Sequence, residues 1–118
     1  MTYVDGFVLA VPKAKKAAYL EMAQKVWPLF KEFGAIRQVE CWGDDVPDGK
    51  VTDFKGAVKA GEDEVVVFSW VEYPSKEARD AAQKKMMEDP RMAEFGDAPF
   101  DGQRMIVGGF APILDERA

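Results

Sequence analysis

The ten residues from Glu64 to Tyr73 are the most apolar run in the sequence, and apolar side chains occupy both its odd and its even positions. The odd positions carry Val65, Val67 and Val71, and the even positions carry Val66, Phe68 and Trp70. Successive side chains of a β-strand point to opposite faces, so this run predicts a strand that is buried on both faces. Residues 3–11 repeat the pattern. A chain with such strands must cover both faces of its sheet.

The periodicity along the rest of the chain predicts four strands and two main helices. We place the strands at residues 3–11, 36–43, 64–73 and 104–110. The first helix ends at Gly34, and its apolar stripe consists of Leu20, Ala23, Trp27 and Phe30. The second helix begins after the cap residue Ser75. This β-α-β-β-α-β order is the ferredoxin-like motif, so we predict an α+β fold with a four-stranded antiparallel sheet, in a single domain over residues 1–118.

The predicted fold leaves one face of the sheet without helices. Both helices cover the same face, and a bare sheet face in water is normally polar. Here the strands are apolar on both sides, so the bare face must be buried against something. A second copy of the chain, related by a two-fold axis, is the simplest cover. We therefore predict a homodimer whose two sheets face each other and enclose a dimeric α/β barrel.

The composition excludes several classes of function. The chain has no histidine and a single cysteine, Cys41, which removes His-dependent triads and disfavours zinc or copper sites. We predict no metal, no cofactor and no disulfide within the chain, with Cys41 buried beneath a helix. The net charge of −5 repels phosphate backbones, so a nucleic-acid partner is not expected.

The hydropathy of the chain gives no sign of membrane association. No apolar stretch is long enough to span a bilayer, and the N-terminal residues lack the basic and apolar regions of a signal peptide. We therefore predict a cytoplasmic protein without a membrane partner.

Six side chains on the predicted strands are candidates for a functional site. They are Asp5, Glu40, Trp42, Trp70, Arg104 and Tyr3. A carboxylate on the apolar inner face of a barrel would be desolvated and become a better base, so Glu40 and Asp5 are the catalytic candidates. The other four are candidate ligand contacts, because aromatic walls with a few polar groups are typical of small-molecule pockets.

A structural interpretation of the same residues is also open. Glu40 or Asp5 would then form a strand-end ion pair with Arg37 or Arg104, and the tryptophans would fill the core of the dimer.

The long acidic loop of residues 44–60 carries four apolar side chains, Val46, Val51, Phe54 and Val58. We predict that this loop is ordered and packs at the dimer interface or over a mouth of the barrel. Within it, the spacing of Asp44, Asp45 and Asp48 does not fit a calcium-binding loop.

Five long segments of the chain resemble a known bacterial family. They are Y-V-D-G-F-V-L-A-V-P-K from residue 3, V-E-C-W-G-D-D-V-P-D-G-K-V-T-D-F from residue 39, F-S-W-V-E-Y-P-S-K from residue 68, M-M-E-D-P-R-M from residue 86 and P-F-D-G-Q-R-M-I-V-G-G-F-A-P-I from residue 99. Through these segments the chain resembles the DUF1428 family of uncharacterised proteins. The resemblance implies a dimeric α/β barrel of two ferredoxin-like subunits, and it implies no reaction.

Three hypotheses for the function follow from these observations. The first is a cofactor-independent enzyme, oxygenase- or isomerase-like, acting on an enolisable or phenolic small molecule with Glu40 or Asp5 as base. The second is a ligand-binding module that uses the same pocket without chemistry. The third is a protein-interaction module whose barrel is filled and whose working surface is the 44–60 loop. Fold alone does not choose among them.

Overall fold

The computed structural model describes residues 2–118, and the predicted order of strands and helices is confirmed. The elements are β1 (Tyr3–Pro12), a 3₁₀ helix (Lys13–Lys15), α1 (Lys16–Phe33), β2 (Arg37–Trp42), α2 (Phe54–Ala57), β3 (Glu64–Tyr73), α3 (Lys76–Glu88), two 3₁₀ helices (Pro90–Phe95 and Gly102–Arg104) and β4 (Ile106–Phe110). The sheet is antiparallel with strand order β2-β3-β1-β4. The fold is therefore α+β and ferredoxin-like, as the pattern predicts.

Local chemistry explains where the main helices begin and end. The Ser75 hydroxyl accepts a hydrogen bond of 3.0 Å from the amide of Ala78 and so satisfies one free N–H at the start of α3. Gly34 follows α1 with φ of 121°, a conformation that other residues rarely adopt. The fourth strand begins two residues later than predicted, because Asp101 caps a 3₁₀ turn that ends at Arg104.

The helix-covered face of the sheet carries the core. Its buried side chains come from alternate positions of β1 and β3, and the opposing faces of α1 and α3 cover them. In α1 the buried stripe is rotated from the predicted one. It consists of Tyr19, Ala23, Val26, Leu29 and Phe33, whereas Leu20 is 51% exposed. The rotation brings Tyr19 beneath the helix.

The other side of the sheet, which we name the open face, is apolar, and the long helices α1 and α3 pack on the opposite face. It comprises Val4, Gly6, Val8, Phe68, Trp70, Ile106 and Phe110, which line a cleft of about 650 Å³. Cys41 pairs with Phe68 across β2 and β3 and is exposed. The prediction that Cys41 is buried beneath a helix is therefore wrong for the protomer, because the helices cover the opposite face.

The loop of residues 44–60 covers one end of the open face of its own protomer. Val58 is fully buried and packs with Ala10 and Val66, and the ring of Phe54 meets that of Phe68 edge to face at 6.4 Å. Asp53 caps the short helix α2 inside the loop by accepting from the amide of Gly56. The loop tip remains apolar and uncovered, since Val51 is 98% exposed.

Within residues 2–118, no helix combines the length and the apolar character needed to cross a bilayer.

Candidate functional site

A cavity of about 270 Å³ lies between α1, the helix-covered face of the sheet and the segment of residues 90–105. Apolar side chains form most of its wall. They are Phe7, Leu9, Met22, Ala23, Val26, Phe30, Val71, Met92, Phe95, Ala98, Phe100 and Met105. The volume is close to the lower end of the range for small-molecule sites, and an apolar wall with few polar groups is what such sites have.

The polar groups of the cavity are concentrated around the carboxylate of Glu40. The Tyr19 hydroxyl donates a hydrogen bond of 2.5 Å to Glu40 Oε1, and the side-chain amide of Gln38 donates one of 3.2 Å to Glu40 Oε2. Gln38 and Glu40 are two residues apart on β2 and therefore share a face, and Ser69 lies opposite Glu40 on β3. Among residues 2–118, no lysine or arginine lines the cavity. The cluster is thus one carboxylate surrounded by neutral groups.

The phenol of Tyr19 is held in its protonated form. Burial raises the pKa of Tyr19 above its usual value, and the neighbouring carboxylate of Glu40 raises it further. Tyr19 is therefore a hydrogen-bond donor at every physiological pH. Each carboxylate oxygen of Glu40 has a further lone pair, so a hydroxyl or N–H group of a ligand could still donate to it.

Asp5 lies outside this cavity, in an ion pair. Its Oδ1 accepts a hydrogen bond of 2.9 Å from Arg79 Nε of α3, and both side chains are largely buried. The prediction placed Asp5 and Glu40 on the inner face of a barrel between facing sheets. Both carboxylates instead lie on the helix-covered face, which corrects that part of the hypothesis. The predicted partners are also wrong, since Asp5 pairs with neither Arg37 nor Arg104.

Tyr3 belongs to the same ion-pair cluster. The guanidinium of Arg79 stacks over the Tyr3 ring at 4.9 Å from its centroid. A methyl group at Gly109 would come within 2.1 Å of Arg79 Nη2 and 2.4 Å of the Tyr3 hydroxyl. A side chain at Gly109 would therefore force the ends of Arg79 and Tyr3 to move, and the ring of Tyr3 already contacts a protein cation.

The two candidate tryptophans are on opposite sides of the sheet. Trp42 packs against the cluster of Leu9 and Tyr19 on the helix-covered face, with Lys16 Nζ at 5.3 Å from its ring. Trp70 lies on the open face, and its indole N–H donates to Glu72 at 2.9 Å. A sheet separates these rings, so the structure does not bring the predicted ligand contacts into one pocket.

Arg104 lies outside the cavity and binds protein groups with its whole guanidinium. Its two terminal nitrogens donate to the carboxylate oxygens of Glu64 at 2.7 Å each, Nη1 also donates to the carbonyl of Lys59 at 2.8 Å, and Nε donates to Asp101 at 3.0 Å. The two hydrogen bonds from Arg104 to Glu64, together with the one from the amide of Gly61, lower the pKa of Glu64 to about 2. No donor of Arg104 points at the cavity.

Of the six predicted site residues, only Glu40 lines the cavity beneath α1. Sequence reasoning missed its partners Tyr19 and Gln38, as well as the covering segment of residues 90–105. Gln38 could have been found, because it alternates with Glu40 on the predicted strand. Tyr19, four residues before Ala23, stands at the edge of the predicted stripe of α1, and only the docking of the helix shows that it meets Glu40. Among residues 2–118, no three or more His, Cys, Asp and Glu side chains are grouped so that they could hold a metal ion.

The buried tyrosines predict a loss of stability at alkaline pH. Burial, and then the carboxylate of Asp5, raise the pKa of Tyr73 to about 12. An unfolded tyrosine ionises near pH 10, so between about pH 10 and 12 the folded state keeps a proton that the unfolded state has lost. Tyr73 should therefore contribute a fall of about 2–3 kcal/mol in the free energy of unfolding over this interval, in addition to the fall that the protonated Tyr19 contributes. Urea denaturation across this range measures the total. Tyr73→Phe should make the decline shallower by the contribution of Tyr73, and an unchanged slope in that variant would contradict the assignment.

The chain is similar in sequence to one protein family and to proteins of known sequence from two bacteria. A family model described as "Protein of unknown function (DUF1428)" matches residues 2–102. The uncharacterised protein YbaA of Escherichia coli K12 is 73% identical over 117 residues, which cover 98% of this chain and 100% of YbaA. YbaA of Shigella flexneri gives the same identity and coverage.

Solved structures with low sequence identity share the fold. A dimeric ferredoxin-like protein from an uncultured marine organism superposes with a TM-score of 0.64 at 13% identity, covering 98% of this chain and 99% of its own. An uncharacterised NIPSNAP domain protein from Burkholderia xenovorans superposes with a TM-score of 0.60 at 18% identity, covering 97% and 99%. At such identities the likeness concerns the fold alone.

Proposed function

The chain belongs to the DUF1428 family, and we propose that it binds a small, largely apolar molecule in the cavity beneath α1 and acts on it as a cofactor-independent enzyme. The observation that carries this proposal is the position of Glu40, a half-buried carboxylate that lines a ligand-sized apolar cavity without a cationic partner. A carboxylate in such surroundings is typical of a general base.

The cavity chemistry points to a neutral ligand with one donor group. A ligand carboxylate or phosphate would be repelled by Glu40, because no lysine or arginine lines the cavity to compensate the charge. A hydroxyl group would instead donate to Glu40, and the rings of Phe7, Phe30 and Phe100 would contact a flat apolar body. Phenols and enolisable ketones in their enol form meet both requirements.

Glu40 would act by removing a proton from this ligand. In an isomerase-like reaction, Glu40 takes the hydroxyl proton of the enol and returns it to a carbon atom of the same conjugated system, so the enol becomes a ketone and no other reactant is needed. In an oxygenase-like reaction, Glu40 takes the hydroxyl proton, and dioxygen, the second substrate, oxidises the resulting anion: one oxygen atom bonds to a ring carbon and the other leaves as water, so that a phenol becomes a quinone. Gln38 and Tyr19 would hold the carboxylate in place through its two oxygens.

The second candidate is ligand binding without chemistry. Both oxygens of Glu40 already accept hydrogen bonds from protein groups, an arrangement that also suits a fixed polar end of a binding pocket. The same cavity and the same class of ligand apply. Turnover of the bound molecule distinguishes the two functions.

Binding is tested by labelling the methionine methyl groups with carbon-13 and titrating the protein with para-cresol, a small neutral phenol. Met22, Met92 and Met105 line the cavity, whereas Met87 of α3 is 89% exposed and does not. We expect the phenol to shift the NMR signals of the first three methyl groups and to leave that of Met87 unchanged. Uniform small shifts, or none, would contradict the proposed site.

Glu40→Gln tests the role of the carboxylate in the same assay. The substitution keeps the size of the side chain and removes its charge, so the fold should persist while para-cresol binds at least about 10-fold more weakly, because a charge-assisted hydrogen bond is lost. Glu72→Gln is the matched control, since Glu72 lies on the open face. Equal affinities in the wild type and Glu40→Gln would remove Glu40 from the site.

We also propose that the chain forms a homodimer through its open face, with the two sheets enclosing the predicted barrel. The support is the exposed apolar cleft bounded by Phe68, Trp70 and Phe110, together with the description of two structural relatives as dimeric ferredoxin-like proteins. An uncovered cleft of this character is typical of an interface between subunits.

A further inference from the structure

We propose that residues 90–105 form a lid over the cavity beneath α1 and that Arg104 is a positioning residue that holds the lid closed. This inference rests on the proposed ligand-binding function, because a lid has meaning only over a cavity that is filled and emptied. The lid consists of the 3₁₀ helix Pro90–Phe95, the connecting residues 96–101, the 3₁₀ helix Gly102–Arg104 and Met105.

The underside of the lid supplies a large part of the cavity wall. Met92 and Phe95 pack against the cluster that contains Leu29 and Phe33, and Phe100 and Met105 pack against the cluster of Leu9 and Tyr19. The rings of Phe100 and Tyr19 meet edge to face at 5.9 Å. A ligand that reaches Glu40 would therefore lie beneath Phe100, so the lid determines which shapes fit.

The backbone of the lid is tied only to itself. Outside the regular strands and helices, the main-chain hydrogen bonds of the lid within residues 2–118 join residues three apart. They run from Met92 to Asp89, from Gly96 to Ala93, from Arg104 to Asp101 and from Met105 to Gly102. A segment without main-chain bonds to the sheet can separate from it while the strands remain paired.

Arginines fix the two ends of the lid with unequal strength. At the first end, Arg91 pairs with Asp89 and Glu32 in an exposed position, where ion pairs contribute little. At the second end, Arg104 makes a two-pronged pair with Glu64, the first residue of β3, and both side chains are mostly covered. Arg91 also makes two hydrogen bonds to Glu32, so the difference between the ends is one of exposure: the side chains of Arg91 and Glu32 are 48% and 55% exposed, and those of Arg104 and Glu64 are 27% and 14% exposed. The geometry therefore assigns the closing contact to Arg104 and Glu64.

This arrangement predicts how ligand exchange depends on Arg104. Opening the lid requires the Arg104–Glu64 pair to break, whereas the ligand contacts themselves lie elsewhere, at Glu40 and the apolar wall. Weakening the pair should then speed entry and release together, and leave the ratio of the two rates nearly unchanged. A purely structural role of Arg104 would lower stability without this paired change in rates.

The test compares Arg104→Gln with Arg117→Gln, which removes the same charge from an exposed tail residue whose ion-pair partner is Asp115. Amide hydrogen exchange of residues 92–105 reports lid opening without any ligand, and methionine methyl NMR with para-cresol reports the exchange of the phenol. We expect Arg104→Gln to raise lid amide exchange and both para-cresol rates by about 10-fold or more, and Arg117→Gln to change neither. Amides of β1 should stay protected in all variants.

Separate outcomes decide the lid and the binding function. Suppose that para-cresol does not bind the wild type, but Arg104→Gln still accelerates amide exchange in residues 92–105 and nowhere else. The proposed binding function then fails, and the lid held by Arg104 stands. If para-cresol binds but Arg104→Gln matches Arg117→Gln in both measurements, the lid is overturned. If Arg104→Gln also exposes β1 amides, Glu64→Gln is measured instead, and equal protection of the lid in that variant and the wild type overturns the proposal.

Discussion

Asp5→Ala is expected to lower the free energy of unfolding by about 3–5 kcal/mol, the usual cost of removing one partner from a buried ion pair. Asp5 is 6% exposed, and its carboxylate accepts from Arg79 at 2.9 Å and from Gln83 at 3.5 Å. Without it, the guanidinium of Arg79 would keep Asp80 as its one remaining ion-pair partner among residues 2–118. Chemical denaturation of the two proteins measures the loss.

Asp80→Ala is the matched control for this prediction. It removes the other carboxylate beside Arg79, at 2.8 Å, but Asp80 is about half exposed. Its loss should cost less than about 1 kcal/mol. The double variant Asp5→Ala with Arg79→Ala should cost less than the sum of the two single changes, because it leaves no unpaired charge. Equal effects of Asp5→Ala and Asp80→Ala would show that burial does not govern this pair.

Trp70→Asp is expected to abolish the proposed homodimer while leaving the protomer folded. Trp70 lies on the open face and is only partly buried in the protomer, so the protomer core loses little. In the dimer, an unpaired carboxylate would be buried between two apolar sheets at a cost of several kcal/mol. Such a cost raises the dissociation constant by about 1,000-fold or more. Sedimentation at micromolar concentration measures it against the protomer mass of 13.2 kDa.

Met87→Asp provides the comparison for Trp70→Asp. Met87 is a large apolar residue of α3 that is 89% exposed and lies away from the open face. Its replacement should leave the protein as much a dimer as the wild type is. A wild type that sediments as a protomer would refute the homodimer itself. A Trp70→Asp protein that remains a dimer would show that the interface lies on another surface.

The candidate site was predictable only in part, and Glu40 shows where the limit lies. Strand alternation correctly grouped Asp5 with Tyr3, and Glu40 with Trp42, because side chains two apart on a strand must share a face. Alternation cannot tell which face the helices cover when both faces are apolar. The sequence therefore assigned Glu40 and Asp5 to the open face, whereas the structure places both on the face that the helices cover.

The partners of the charged residues were beyond sequence reasoning for a different reason. Asp5 pairs with Arg79 across 74 positions of the chain, and Arg104 pairs with Glu64 across 40. Each carboxylate could pair with any of several arginines as far as charge is concerned. The packing of α3 and of residues 90–105 determines which arginine lies next to which carboxylate. In α1, Tyr19 stands about 40° from Ala23 around the helix axis, at the edge of the predicted stripe, and the docking angle of the helix decided that it faces Glu40.

The sequence by itself determined the order of the elements, their caps and the two-sided apolar sheet. These features follow from local rules: the period of hydrophobic residues, the hydrogen bonds of Ser75 and Asp53 to free amides, and the conformational freedom of Gly34. Only the tertiary structure decided where the cavity lies, that Tyr19 and Gln38 surround Glu40, and that residues 90–105 cover them. A cavity exists between elements that are distant in the chain, so its walls are set by how helices and loops pack on the sheet, which no local pattern encodes.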